Sequence, residues 1–540
     1  MKRLTCIIAF ACALRLVSAE PRNLGTTEPL NQQVPPLYDW TTDGGDNQRT
    51  GWNKLEKTLT KDNVKNLKLL WKVETGNKVR ALHGLMPALV LGRVITPTGV
   101  KQVAYVNGIS DNLYAIDVEA GKILWQKHWD YPAPAGRGGG QGGGGQGAPQ
   151  DPASLGFLRP GGSSDVPVIG PPNGRGQRPI YFVTGDGIMH TLDTATGEDL
   201  EPPFMFHGGK GWALNLVNDT MYMANTYDSA SIVAVELDDP THKVMVFNAN
   251  SGGAWGRRGA VVDSAGTVFT TTGDGQYNPA NNQYANSVVG VRIVNGELKM
   301  VDYFVPTNWD WLRKRDLDPN NTPTVFTHKG RELMAASGKE CRVYLLDPKS
   351  LGGADHQTPL YKTPLFCNEE VDFQDAGSWG ALSTWEDAAS STRYVLAPFW
   401  GPPHSQFTFP TTNTPKAKEG GVAAFKVSDT SGKLTLDPVW ISRDMYRGEP
   451  VVIANGLVFG YGSGEVTAQA FPDLGLQFNS LVRASKSGYA TIYVLDAQTG
   501  KELWSSGQTI TSFNHFSGIT VANGRVYLGT YDGTIWCFGL

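Results

Sequence analysis

Between Ala254 and Lys339 the chain gathers its densest mixture of aromatic, acidic and cationic side chains. Trp255, in Trp255-Gly256-Arg257-Arg258, offers a flat indole that can floor a planar cofactor. Asp274, in Thr272-Gly273-Asp274-Gly275, offers hard oxygen to a cation such as calcium. Asp310, in Asn308-Trp309-Asp310-Trp311, has the chemistry of a general base. Lys339, in Ser337-Gly338-Lys339-Glu340-Cys341, has that of a cation stabilising a developing oxyanion. Spacing alone does not join them, and a Trp-Asp-Trp loop is equally a packing and turn element. They act together only if the fold brings distant loops to one place.

A recurring phrase supplies such a fold. A strand ending apolar-x-apolar-Asp is followed by a Gly turn and a strand ending in Trp. The clearest copies are Leu113–Asp117 with Gly121 and Trp125, and Ile492–Asp496 with Gly500 and Trp504. Weaker inner strands recur near Leu192, Val235, Val291, Leu346, Phe425 and Phe538, giving roughly eight copies. A lone hairpin cannot bury both faces, so the copies must stack around an axis as an all-β, eight-bladed propeller of four-stranded antiparallel blades. The chain stops at Leu540 just after the last copy's inner strand, whereas Leu69-Leu70-Trp71 is an outer strand with no partner before it. Joining the two closes the ring and removes two exposed edges. Trp71, Trp125 and Trp504 are then equivalent residues docking between blades. Loops on one face of such a ring surround the axis, where Trp255, Asp274, Asp310 and Lys339 are expected to converge.

Composition bounds the rest. A net charge of -4 without a basic stripe argues against nucleic acid. Lys2-Arg3, the apolar run Leu4–Leu14 and Val17-Ser18-Ala19 read as a signal peptide over 1–19, too short to span a bilayer, so a periplasmic or secreted protein is expected. Residues 20–37 read as a polar, Pro-rich arm and 38–540 as the propeller. Within it, 136–152 is a Gly/Gln-rich loop with too little apolar surface to order itself. Export permits a disulfide; Cys341 and Cys367 flank one hairpin and are the expected pair, with Cys537 a buried thiol in an alternating strand.

The opening Asp39-Trp40-Thr41-Thr42-Asp43-Gly44-Gly45-Asp46, continuing through Asn63-Val64 to Leu69-Leu70-Trp71 and Thr75-Gly76, resembles the N-terminal signature of pyrroloquinoline quinone (PQQ)-dependent alcohol dehydrogenases. The stretch Thr271 to Trp311 resembles the same family's central segment, with Asp274, Ser287-Val288-Val289, Trp309-Asp310 and Lys339 at matching positions. The resemblance implies an eight-bladed propeller binding PQQ on Trp255, with Asp274 and Asp310 at calcium, Asp310 as base and Lys339 at the cofactor. For the arginine that pairs with a cofactor carboxylate, Arg159 is the candidate. The family's adjacent-cysteine ring and its first calcium-ligating glutamate have no counterpart; Asn225-Thr226-Tyr227-Asp228 stands near the latter. No Cys-x-x-Cys-His haem motif exists, so electrons must leave to a separate acceptor.

Two functions follow. One is an exported dehydrogenase oxidising an alcohol or sugar hydroxyl by hydride transfer to PQQ with calcium. The other is a non-catalytic propeller serving as a binding or envelope-assembly scaffold.

Overall fold

A computed structural model describes residues 36–131, 161–207, 211–226, 231–369, 376–468, 470–471, 476–477 and 480–540. The signal peptide, all but the last two residues of the arm, the Gly-rich loop and Arg159 lie outside them. Eight antiparallel blades surround an axis. Blade 1 shows the plan: Leu89–Thr96, Gly99–Gly108, Asn112–Asp117 and Lys122–His128 pair in that order from axis to rim. Closure is as expected. Lys68–Glu74 pairs antiparallel with Thr534–Gly539, setting Trp71 opposite Cys537 and completing blade 8. Two blades carry additions the repeat did not announce. Trp52–Asn53 adds a parallel strand to blade 7, and Thr411–Thr412 adds one to blade 6.

The Gly turn and the Trp lock neighbouring blades. Trp71 of blade 8 donates from Nε1 to the Val118 carbonyl of blade 1 at 2.8 Å, and Trp125 of blade 1 to Thr194 of blade 2 at 3.1 Å. Trp440 of blade 6 does the same to Ala497 of blade 7 at 3.0 Å. Each indole covers the turn glycine next door: a Cβ on Gly121, Gly197 or Gly500 would lie 2.6, 2.8 or 2.4 Å from it. All three glycines have positive φ, which suits a residue without a Cβ. Trp504 instead packs edge-on against Phe538 of blade 8, 5.6 Å between centroids. Between these locks the alternating strand faces make continuous apolar layers, such as Leu91, Tyr105 and Leu113 of blade 1 with Ile180, Phe182 and Leu192 of blade 2.

The N-terminal segment does more than open the sequence. It passes the inner strands of all eight blades. Val90 and Trp40 exchange backbone bonds, and the carbonyls of Thr41, Asn47, Gln48, Thr50 and Gly51 accept from Ile169, Val262, Val325, Thr384 and Ile453. Asn53 Nδ2 donates to the Val521 carbonyl at 2.8 Å. Thr42, Asn215 and Arg49 make the contact to blade 3: Thr42 Oγ1 donates to the Leu214 carbonyl at 3.4 Å and Asn215 Nδ2 to the Asn47 carbonyl at 3.1 Å. Arg49 makes the largest set of bonds. Its wholly buried guanidinium donates to the carbonyls of Leu214 at 2.8 Å, Ala260 at 3.2 Å and Asp43 at 2.6 Å. Burial lowers its pKa to about 10 despite Asp43 and Asp46 nearby, so it remains a cation at neutral pH. Arg258 ties blade 4 to Ser383 of blade 6 at 2.9 Å and to the Val451 carbonyl at 2.7 Å, while Arg257 pairs with Glu449.

Candidate active site

Trp255 ends the short inner strand Ala254–Trp255 of blade 4. Trp212, Trp379 and Phe516 stand at or just before the inner strands of blades 3, 6 and 8. These rings close a circuit. Trp212 and Trp255 are 5.8 Å apart, Trp255 and Trp379 5.9 Å, Trp379 and Phe516 4.6 Å in a stack, and Phe516 and Trp212 6.0 Å. The circuit follows from the fold: each ring comes from the innermost part of a different blade, so the arrangement of blades about the axis brings them together. Trp212 is pinned by donating from Nε1 to Thr226 Oγ1 at 2.6 Å, and Thr271 Oγ1 donates to the Trp255 carbonyl at 2.7 Å.

Beside Trp255 lies a carboxylate cluster. Asp274, Asp316 and Asp318 each offer an oxygen, all within 4.8 Å of one another. Asp274 follows the strand Val268–Thr272 through Gly273, whose missing side chain lets the turn lie against the indole; a Cβ there would sit 2.3 Å from Trp255 Nε1. Lys339 Nζ reaches Asp316 at 2.5 Å and Asp318 at 2.8 Å and lies 5.9 Å from the Trp255 ring centroid. Asp274 Oδ1 is buried without a hydrogen-bond partner. Burial, then the charges of Asp318 and Asp316, raises the Asp274 carboxyl to about 8; burial raises Asp318 to about 6, against the pull of Lys339. Burial alone would push the Lys339 ammonium down, but Asp318 and Asp316 more than offset it, and its net shift is upward. Three carboxylates against one ammonium leave an excess negative charge, which a bound cation neutralises and which protons otherwise must.

The structure thus brings together Trp255, Asp274 and Lys339, but not Asp310. Asp310 sits instead on the helix Trp309–Arg313. Its carboxylate faces outward and pairs with Lys314 at 2.5 Å and Arg313 at 2.8 Å, and those hydrogen bonds hold it below the usual carboxylate range. The helix ends where Leu317 N bonds back to the Leu312 carbonyl, and Asp316 takes a left-handed φ of 55°. That reversal turns Asp316 and Asp318 toward Lys339. Sequence reasoning missed both; the signal was an Asp-x-Asp step whose middle residue, Leu317, is apolar and fully buried. Thr226, near the position of the missing glutamate, donates from Oγ1 to the Ala254 carbonyl at 2.9 Å and supplies no carboxylate.

Proton competition gives a checkable consequence. In the cation-free folded protein Asp274 keeps its proton up to about pH 8; in the unfolded chain it loses it near the ordinary 3.8. Between those values the folded state binds more protons, so stability contributed by this group falls as pH rises. A cation restores it. Calcium or a trivalent lanthanide is therefore expected to raise the melting temperature more at pH 8 than at pH 5, read by thermal scanning at both pH values.

Sequence and structure comparisons agree with this architecture. Residues 40–235 match the family model described as the glucose/ethanol/alcohol dehydrogenase β-propeller domain, a PQQ family, and residues 441–539 match that of outer membrane protein assembly factor BamB. No curated protein matches the chain in sequence. Among solved structures, a europium-containing methanol dehydrogenase superposes with a TM-score of 0.57 at 14% identity, covering 93% of this chain and 98% of its own. The quinohemoprotein alcohol dehydrogenase of Comamonas testosteroni superposes at 0.53 with 15% identity, covering 94% of this chain and 81% of its own. Blade count and ring closure make this chain an eight-bladed β-propeller, and its residues 40–235 are similar to the propeller domain of PQQ dehydrogenases.

Proposed function

We propose that this protein is an exported quinoprotein dehydrogenase that oxidises an alcohol or sugar hydroxyl, with PQQ beside Trp255 and a metal cation at Asp274, Asp316 and Asp318. The observation that carries the reading is the cluster of three carboxylates and Lys339 beside an aromatic circuit at the axis. These residues fit such a pair. The rings suit a planar group, and the partnerless Asp274 Oδ1 suits a hard cation. Calcium meets this donor set. Three carboxylates also favour a trivalent ion, and the superposed methanol dehydrogenase is named for europium. Arg159 remains the proposed partner of a cofactor carboxylate.

PQQ, when bound, supplies a carbonyl able to accept hydride, and a cation there polarises it. The chain's own residues do the rest. Asp316 is the solvent-facing carboxylate, its side chain 53% exposed, and it takes the hydroxyl proton. Asp318, 2% exposed, stays with Lys339 as a cation ligand. Lys339 holds both carboxylates in place and presents a charge to a reduced oxygen. The aromatic circuit keeps water from the axis side. The electrons would go to a separate acceptor, since the sequence carries no Cys-x-x-Cys-His haem motif.

Export rests on the signal-like residues 1–19. The Cys341–Cys367 disulfide supports it, and among the described residues no helix is long and apolar enough to cross a membrane. The BamB match over residues 441–539 favours the second reading, a scaffold without a cofactor. Titrating the purified protein with PQQ plus calcium or europium separates the two. The dehydrogenase reading expects a saturable change in quinone absorbance and alcohol-dependent dye reduction. Neither response, with either ion, leaves the scaffold.

A further inference from the structure

Lys339 is held by a turn whose backbone is out of the ordinary. Cys341 takes φ 65°, a left-handed value costly for a residue with a Cβ, and its N–H closes the turn on the Gly338 carbonyl at 2.9 Å. On one side the turn touches the cation site directly: Lys339 N donates to the Asp318 carbonyl at 3.2 Å, and a Cβ on Gly338 would lie 2.7 Å from that oxygen. On the other side residues 363–368 run beside it. Thr363 N donates to the Val343 carbonyl at 3.0 Å, Phe366 N to the Cys341 carbonyl at 3.1 Å, and Asn368 Nδ2 to the Lys339 carbonyl at 2.9 Å. The Cys341–Cys367 disulfide, Cα atoms 5.3 Å apart, bolts the two segments together. Cys341, Cys367 and Asn368 are wholly buried. A strained turn persists only where its surroundings over-determine it, and such strain gathers at functional sites.

We propose that the Cys341–Cys367 disulfide and Asn368 form a positioning clamp whose work is to hold the Lys339 ammonium between Asp316 and Asp318. The clamp rests on the dehydrogenase reading above, since it acts on that reading's cation site. Neither cysteine nor Asn368 touches substrate or cofactor in this account; each acts through the Lys339 turn.

The clamp predicts a pattern that general loosening does not. When Lys339 drifts away, the carboxylates lose a competing positive charge, so a metal cation binds them at least as tightly as before. Turnover falls, because the ammonium no longer faces the reacting oxygen. The test compares wild type, the double variant Cys341→Ser/Cys367→Ser, Asn368→Ala and Lys339→Gln. Terbium affinity is measured by luminescence titration of each protein, alcohol-dependent dye reduction with PQQ and calcium, and the melting temperature. The clamp expects the double variant and Asn368→Ala to follow Lys339→Gln: turnover down about 10-fold or more, with terbium affinity unchanged or raised. Terbium affinity and turnover that both match wild type, with only the melting temperature lowered, overturn it. Affinity and turnover falling together in a folded variant also overturn it, because the site has then simply loosened. If the double variant does not fold, Asn368→Ala decides, since it deletes the bond to the Lys339 carbonyl and keeps the disulfide. Wild type that binds no terbium overturns the clamp and the dehydrogenase reading together; wild type that binds and turns over, with clamp variants identical to it, overturns the clamp alone.

Discussion

Asp316→Asn is expected to lower turnover by about 10²-fold or more while PQQ and the cation still bind. Asparagine keeps the shape and one oxygen donor but cannot take the hydroxyl proton. Asp318 cannot substitute, because its side chain is only 2% exposed, against 53% for Asp316. Asp310→Asn is the control. That carboxylate is spent on Lys314 and Arg313 at the surface, where such pairs contribute little, so turnover should stay within about twofold of wild type. Steady-state kinetics on both variants, with quinone occupancy read from absorbance, check the pair of claims. If Asp310→Asn is the crippled variant, the assignment made from the structure is wrong and the one made from the sequence stands.

Arg49→Ala is expected to cost about 3 kcal/mol or more of stability. Its guanidinium reaches the Leu214, Ala260 and Asp43 carbonyls together, and with Thr42 Oγ1 and Asn215 Nδ2 it joins the encircling N-terminal segment to blade 3. Alanine removes these charged bonds from a fully buried space and leaves the Leu214 and Ala260 carbonyls only Thr42 Oγ1 and Asn215 Nδ2. It also frees the segment whose carbonyls serve blades 4 to 7 in turn. Arg49→Lys keeps the charge but cannot reach in several directions at once, so it should recover only part of the loss. Thermal and denaturant unfolding of both variants measure it; a melting temperature equal to wild type in Arg49→Ala contradicts the structural role.

What the sequence made legible was the chemistry that repeats locally. The Gly turn beside a Trp recurs because each indole needs a glycine to cover, so Trp71 and Trp125 could be placed without coordinates. Closure by Lys68–Glu74 followed from an unfinished last blade, and the disulfide from two cysteines around one hairpin. Trp440 obeys the same rule, covering Gly500 of the next blade as Trp71 and Trp125 cover theirs, but it stands eight residues after its own turn glycine, Gly432, where Trp125 stands four after Gly121. The site was half legible. Trp255, Asp274 and Lys339 stood out by type. Asp316 and Asp318 did not, because only the helix end at Leu312 and the left-handed Asp316 decide which carboxylate faces Lys339. The circuit of Trp212, Trp379 and Phe516 is a product of rotational repetition, and no linear spacing encodes it. Nor does any periodicity mark the path of residues 40–53 around the inner strands.

The central claim is that a cation belongs among Asp274, Asp316 and Asp318. Anomalous diffraction from crystals of the protein grown with PQQ and europium tests it most directly. The account predicts one strong peak within coordination distance of all three carboxylates, with the quinone density beside Trp255. A peak elsewhere, or an empty cluster with Lys339 still bridging Asp316 and Asp318, would contradict it.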